Sequence, residues 1–290
     1  MSVTVLDGGM GQELLRRSGR KPTPLWSTQV LMDEPELVQQ VHADFFAAGA
    51  QIATTNTYAL LPDRLEKYGG SDQFEALMAR ALDVAEAARD AAGGGQIAGS
   101  IGPLEASYRP DLCPAPEVAE KLYAGSVALL ADRVDFFILE TMSSVAQAEG
   151  ALRAGCSSGK PVWLALSVSD EDGTRLRSGE ALADVARLVA DYAPAAVLLN
   201  CSRPEAISAG LPVIAGFGVP FGAYANGFTE INSSFLGAAP TADVLQVRRD
   251  LGPEEYADFA ANWVDLGATI IGGCCEVGPD HIAELSRRFA

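Results

Sequence analysis

Short apolar runs, rich in β-branched residues, alternate along this chain with longer stretches in which apolar positions recur every three or four residues. The short runs fall at 3–6, 51–54, 96–101, 135–139, 161–168, 195–199, 221–224 and 269–271, and their length and flanking turn residues predict strands. Helical periodicity follows most of them, at 35–48, 73–92, 116–131, 145–154, 180–191, 204–209, 253–266 and 279–289. Five of these helices open on a proline (Pro35, Pro116, Pro204, Pro253 and Pro279), where the missing N–H would have had no intrahelical partner. Eight strand-then-helix units predict a parallel sheet with helices outside it, an α/β protein built as one (β/α)₈ barrel domain over residues 1–290. A doubly wound open sheet is the alternative topology.

Composition narrows what such a barrel does. With 290 residues and 48% hydrophobic content, the chain is long enough for one barrel with a full core and no second module. A formal net charge of −17 argues against nucleic acid or an anionic membrane as partner. Residues 206–229 are uncharged, but five glycines and two prolines interrupt them, which predicts a helix-to-strand connection rather than a membrane span. Gly93–Gly95 reads as a turn and matches no phosphate-binding loop. Five cysteines and a start, MSVTVLDGGMG, without a basic-then-apolar leader lead us to expect a reducing, cytoplasmic setting in which sulfurs bind metal or stay free.

The barrel prediction gathers the unusual residues onto one rim, because βα loops carry the active sites of this architecture. Asp7 and Gly8 follow the first predicted strand, Thr55, Asn56 and Tyr58 the second, and Ser100 the third. Glu140 ends the fourth, Cys201 the sixth, Tyr224 and Asn226 the seventh, and Cys274 and Cys275 the eighth. Gly272 and Gly273 give the cysteine pair a permissive backbone. Three sulfurs from neighbouring strand ends can hold a borderline-soft cation such as zinc and leave its fourth position open. His42 and His281 both lie in predicted helices away from this rim, so a hydrolase with a histidine base is disfavoured.

These residues also resemble a family. LDGGMGQELLRRSG at 6–19, ATTNTY at 53–58, GSIGP at 99–103, LETM at 139–142, NC at 200–201 and GGCCEVGPDHI at 272–282 are similar to segments of the homocysteine S-methyltransferases. That family includes S-methylmethionine- and betaine-dependent enzymes and the homocysteine-binding module of cobalamin-dependent methionine synthase. The combination of N-C with G-G-C-C is the specific part. The resemblance implies a (β/α)₈ barrel with Zn²⁺ on Cys201, Cys274 and Cys275. It further implies that Asp7 and Glu140 hold the amino group of homocysteine, with Thr55 and the Gly8 backbone near its carboxylate end. Asn56, Tyr224 and Asn226 complete the candidate substrate contacts.

Zinc chemistry agrees with that implication. A free thiol, with a pKa of about 8.5, is mostly protonated at neutral pH, and coordination removes the proton. The resulting sulfur can attack a methyl on a sulfonium or ammonium without a general base. Betaine-dependent relatives carry aromatic residues where this chain has Thr141 and Ala59, so part of a quaternary-ammonium cage is absent. The expected donor is therefore a sulfonium: S-methylmethionine, or S-adenosylmethionine in its place. Betaine and dimethylsulfoniopropionate-type donors stay open, as does a role for the unfamiliar 227–253 segment, where Phe228 and Phe235 either close over the donor or anchor the loop.

Blander readings stand beside these. Asp7 can cap a turn, Glu140 can belong to a structural ion pair, and Asn56 and Asn226 can satisfy loop backbone. Tyr58 and Tyr224 can simply pack at the rim, and Cys113 and Cys156 have no partner by spacing. A non-catalytic zinc-binding regulatory barrel and a thiol-redox protein using the vicinal cysteines are the functional alternatives. Oligomeric state is left open by the sequence.

Overall fold

The computed structural model describes residues 2–19, 21, 23–232, 234–237 and 244–290. Eight parallel strands form one sheet: β1 (Thr4–Val5), β2 (Ile52–Thr54), β3 (Gln96–Ile101), β4 (Phe136–Met142), β5 (Val162–Leu166), β6 (Ala196–Asn200), β7 (Phe221–Ala225) and β8 (Ile270–Gly273). Their order, β1-β8-β7-β6-β5-β4-β3-β2, brings β1 back beside β2. The seam closes where Gln51 N–H donates to the Val5 carbonyl at 2.8 Å and the Gln51 side chain accepts from Val5 N–H. This is the (β/α)₈ barrel that the sequence predicts, and not an open doubly wound sheet.

Side-chain alternation along the strands separates two apolar layers. Leu6, Ile52, Ala98, Phe136, Ile138, Ala165, Ala196, Leu198 and Ile270 fill the barrel interior, with alanines leaving room for Phe136 stacked on Trp163 at 4.2 Å. The intervening residues, among them Ile97, Phe137, Leu139, Val197 and Leu199, point outward into the layer beneath the helices. Continuing the inward parity by one more step on each strand reaches Thr54, Ser100, Glu140, Asn200 and Tyr224. A hydrophobic plug therefore ends, at the C-terminal mouth, in a ring of polar side chains.

The helices are α1 (Met10–Ser18), α2 (Ser27–Asp33), α3 (Pro35–Ala47), α4 (Pro62–Tyr68), α5 (Phe74–Ala92), α6 (Pro116–Ala131), α7 (Val145–Ser157), α8 (Ala186–Tyr192), α9 (Pro204–Ala215), α10 (Pro253–Asp265) and α11 (Pro279–Phe289). Three of them, α1, α2 and α4, were not expected from periodicity, being only seven to nine residues long. All three lie in the loops after β1 and β2, at the mouth. The helix expected at 180–191 is instead a 3₁₀ turn, Leu182–Val185, leading into α8. The helix expected at 204–209 runs through Pro212 to Ala215. Burial of Ile207, Leu211 and Ile214 on one face outweighs the lost N–H there.

Residues 206–229 fold as α9 and β7, and among the described residues no helix is long and apolar enough to cross a membrane. Of the 227–253 segment, residues 233 and 238–243 lie outside the described residues. Phe228 is buried and its neighbouring backbone is pinned by Arg248 N–H on the Gly227 carbonyl at 2.8 Å.

Candidate active site

β4 is where the barrel departs from regularity. Leu139 pairs with Leu164 and Met142 with Leu166, so three steps on β4 match two on β5: a bulge, the device that redirects a side chain beside a site. Sequence reading ends this strand at Leu139 and misses it. Thr141 takes a left-handed backbone, φ 63°, and Asn200 holds it there. Thr141 N–H donates to Asn200 Oδ1 at 3.1 Å, and Asn200 Nδ2 donates to Thr141 Oγ1 at 2.9 Å. Asn200, which enters the sequence reading only through the N-C motif, is thus a site residue beyond the candidates; its polarity at an inward strand end is the signal for it.

The bulge sets Glu140 in the mouth, buried. Ser100 Oγ donates to its Oε1 at 2.5 Å and Tyr224 OH to its Oε2 at 3.0 Å. Burial raises the Glu140 pKa despite these two donors, and the nearby carboxylate helps raise that of Tyr224 after burial itself. Asp7 is equally buried, and both its oxygens serve the seam: Thr54 N–H and Thr54 Oγ1 each donate at 2.7 Å. Burial pushes the Asp7 pKa up to about 7, with the neighbouring Glu140 charge a smaller contribution. Two desolvated carboxylates facing one cavity, without a cation bonded to either among the described residues, attract an ammonium group.

The three cysteines sit beside them. Cys201 N–H donates to the Tyr224 carbonyl and Cys274 N–H to that of Ala225, which brings the ends of β6 and β8 together around β7. All three Sγ atoms lie within 4.8 Å of one another. The structure joins Cys201 to Cys274 in a disulfide, Cα to Cα 5.7 Å, and leaves Cys275 a free thiol. That differs from the expectation of sulfurs either free or on metal, and from a vicinal pair: the same convergence that suits a cation also puts Cys201 and Cys274 within ordinary disulfide reach. Burial, then the neighbouring Glu276, pushes the Cys275 thiol up to about 12. With Cys201 and Cys274 reduced, three soft donors are available to a divalent cation.

Gly272 and Gly273 are needed here for space rather than for backbone freedom. Neither has a positive φ. A Cβ on Gly272 would lie 2.5 Å from that of Leu6, and one on Gly273 would collide with Val277 Cγ1. The left-handed residue is Cys201 itself, φ 47°. Its carbonyl accepts from Arg177 Nη2 at 3.1 Å, and Arg177 is in turn paired with Asp170 at 3.1 Å.

One cavity is lined by Asp7, Gly8, Thr55, Asn56, Glu140, Cys201, Tyr224, Cys274 and Cys275, so nine of the ten candidate residues meet. The exception is Asn226. It is buried outside the cavity lining, its Oδ1 accepts from Phe228 N–H at 3.1 Å, and its Nδ2 has no hydrogen-bond partner among the described residues. The Thr55 hydroxyl is also engaged by protein, with Thr57 Oγ1 at 2.7 Å and Ser100 N–H at 3.0 Å, and Asn56 Nδ2 donates to the Ser27 carbonyl. His42 lies buried in α3, its pKa lowered to about 4 by desolvation. His281 bonds the Leu251 carbonyl from α11. Neither histidine lines the cavity.

Comparison with known proteins agrees with this arrangement. A family model described as Homocysteine S-methyltransferase matches residues 4–289. The homocysteine S-methyltransferase of Escherichia coli (strain K12) is 30% identical over 306 aligned residues, covering 99% of this chain and 95% of that protein. Homocysteine S-methyltransferase YbgG of Bacillus subtilis (strain 168) is 28% identical, covering 97% and 93%. Crystal structures of the homocysteine methyltransferase MmuM from Escherichia coli, in metallated and in oxidized forms, each superpose with TM-score 0.83 at 29% identity, covering 99% of this chain and 96% of that one. The chain belongs to the homocysteine S-methyltransferase family, and is a methyltransferase.

Proposed function

We propose that this barrel makes methionine by moving a methyl group from a small sulfonium donor to homocysteine. Cys201, Cys274 and Cys275, all reduced, hold a Zn²⁺ ion, and Asp7 and Glu140 hold the substrate ammonium. The observation that carries the reading is the meeting, in one cavity, of three sulfurs within 4.8 Å of each other with two buried, cation-free carboxylates. Family membership supplies the acceptor, homocysteine; the metal and the donor are our inference.

When bound, the zinc supplies a substrate thiol stripped of its proton at neutral pH. The chain's own residues do the rest. Asp7 and Glu140 fix the ammonium, so the acceptor sulfur is oriented toward the cysteines. Ser100 and Tyr224 hold Glu140 in place through its two oxygens. Thr55 and Asn56 shape the wall beside the substrate, and the Gly8 backbone approaches it closely. The methyl then passes from donor sulfur to acceptor sulfur: one C–S bond forms as another breaks, and both partners leave as neutral thioethers. No proton transfer is needed in that step, consistent with the histidine-free cavity wall.

The donor end is aromatic. Trp26, Tyr58, Tyr108, Phe228 and Phe235 line the same cavity, Tyr108 meeting Phe235 edge to face at 5.8 Å. These faces stabilise a cationic methyl-bearing group. Thr141 is committed to Asn200 and Ala59 offers no ring. The positions that are aromatic in betaine-dependent relatives therefore add nothing to a quaternary-ammonium cage, which favours a sulfonium such as S-methylmethionine, or S-adenosylmethionine, over betaine. The reducing conditions that keep three thiols available fit a cytoplasmic enzyme, and residues 1–290 act as a single unit in this reading.

Methionine formation from homocysteine with S-methylmethionine, S-adenosylmethionine, betaine and dimethylsulfoniopropionate tests the proposal. Turnover with a sulfonium is the expected result. Turnover with betaine alone would overturn the donor assignment, and none with any donor, in zinc-loaded reduced protein, would favour the regulatory barrel.

A further inference from the structure

α4 carries a charge that the reaction above leaves unused. Arg64 lines the cavity with 9% of its surface exposed, and among the described residues it has no carboxylate partner. Nη2 donates to the Pro103 carbonyl at 2.9 Å, Nε is buried with no hydrogen-bond acceptor, and the guanidinium carbon lies 5.8 Å from the centre of the Tyr58 ring. The neighbouring Asp63 forms no ion pair with it: its Oδ2 accepts from Glu105 N–H at 2.5 Å and its Oδ1 is buried without a partner. The other basic side chains at the cavity are accounted for: Arg109 pairs with Asp111 at 2.6 Å, and Lys67 is exposed, over Tyr68. A guanidinium does not lose its proton in a protein, so a buried one without a counter-charge is costly unless a ligand brings that charge.

Its position says which end of which ligand. Arg64 follows β2 and is tied to the loop after β3, whereas Cys201 follows β6, four strands around an eight-stranded barrel. The guanidinium therefore opens on the cavity opposite Cys201 and two strands from Cys274 and Cys275 on β8, with Tyr58 beside it. A donor whose methyl cation lies over the sulfurs points its other end to this side. We infer that Arg64 binds the carboxylate of the methyl donor, selecting zwitterionic sulfoniums that carry an acid group. This rests on the methyl-transfer reading.

The test compares S-methylmethionine with its carboxamide, on wild type, Arg64→Gln and Arg64→Lys. The readouts are donor KM, homocysteine KM, kcat and equilibrium binding followed by tryptophan fluorescence, Trp26 being at the cavity. Loss of one charge-assisted contact should raise donor KM about ten- to a hundredfold in Arg64→Gln, with homocysteine KM unchanged and partial recovery in Arg64→Lys. The carboxamide should bind wild type that much more weakly than the acid, yet bind Arg64→Gln about as well as the acid does. Equal discrimination between acid and carboxamide in wild type and Arg64→Gln overturns the assignment, as does a rise in homocysteine KM alone. Should Arg64→Gln fail to fold, the acid-to-carboxamide ratio in wild type and Arg64→Lys decides: no preference for the acid overturns it. Wild type that neither binds nor turns over S-methylmethionine, S-adenosylmethionine or dimethylsulfoniopropionate removes the sulfonium reading itself, a different failure.

Discussion

Replacing Asp7 by asparagine should change how stability depends on pH, because the carboxyl is held so far from water. Its pKa rises from 3.8 to about 7 in the fold, chiefly through burial. Below about pH 4 the carboxyl is protonated folded or unfolded and contributes nothing. Between about pH 4 and pH 7 the unfolded chain releases a proton that the folded chain retains, so stability falls as pH rises. Above about pH 7 the loss levels off, at about 4 kcal/mol from the difference between the two values. Between about pH 5 and pH 8, wild type should therefore lose roughly 2–3 kcal/mol more than Asp7→Asn. The amide can still accept from Thr54 N–H and exchange a hydrogen bond with Thr54 Oγ1, so what it costs otherwise is constant with pH. Urea unfolding of reduced, metal-free protein at several pH values measures the difference directly. Parallel profiles for the two proteins would refute the claim that Asp7 is ionised at a cost. Homocysteine, by bringing an ammonium to Asp7, should stabilise wild type more at pH 8 than at pH 5.

Other substitutions separate the parts of the site. Glu140→Gln should raise homocysteine KM about ten- to a hundredfold by removing a charged partner of the ammonium, with zinc content unchanged; loss of zinc in that variant would contradict its role. Asn200→Ala leaves the Thr141 N–H buried without its partner and should cost about 1–3 kcal/mol in chemical denaturation, and it should lower kcat as the bulge relaxes. Gly273→Ala forces a methyl into Val277 and should destabilise by about 1–3 kcal/mol; a neutral outcome would show that the loop after β8 can move aside. Cys113→Ser, outside the three-sulfur group, should change neither metal content nor rate.

Much of this molecule is legible from sequence because a barrel repeats one simple rule. Each β run followed by a periodic helix places its strand end on the same rim, and that is how Asp7, Glu140 and Cys201 could be grouped without coordinates. What escaped is what the repeat does not encode. The α1, α2 and α4 helices are too short for periodicity to register and draw their stability from packing over the mouth. The β4 bulge depends on a side chain 59 residues away, Asn200. Gly272 and Gly273 were recognised as special for the wrong reason: crowding by Leu6 and Val277 is a tertiary fact. Asn226 shared its strand end with Tyr224, yet its amide turned back to Phe228 N–H, a choice that local spacing does not reveal. Arg64 carried no signal at all, since an arginine on a short helix reads as solvated surface until its burial is known.

Zinc bound per chain in reduced protein, measured together with methionine formation for wild type and for Cys201→Ser, Cys274→Ser and Cys275→Ser, tests the central chemistry most directly. The proposal predicts about one zinc per wild-type chain, with both metal and methyl transfer lost in each serine variant. Undiminished methyl transfer in metal-free protein, or full zinc in the Cys201→Ser variant, would contradict it.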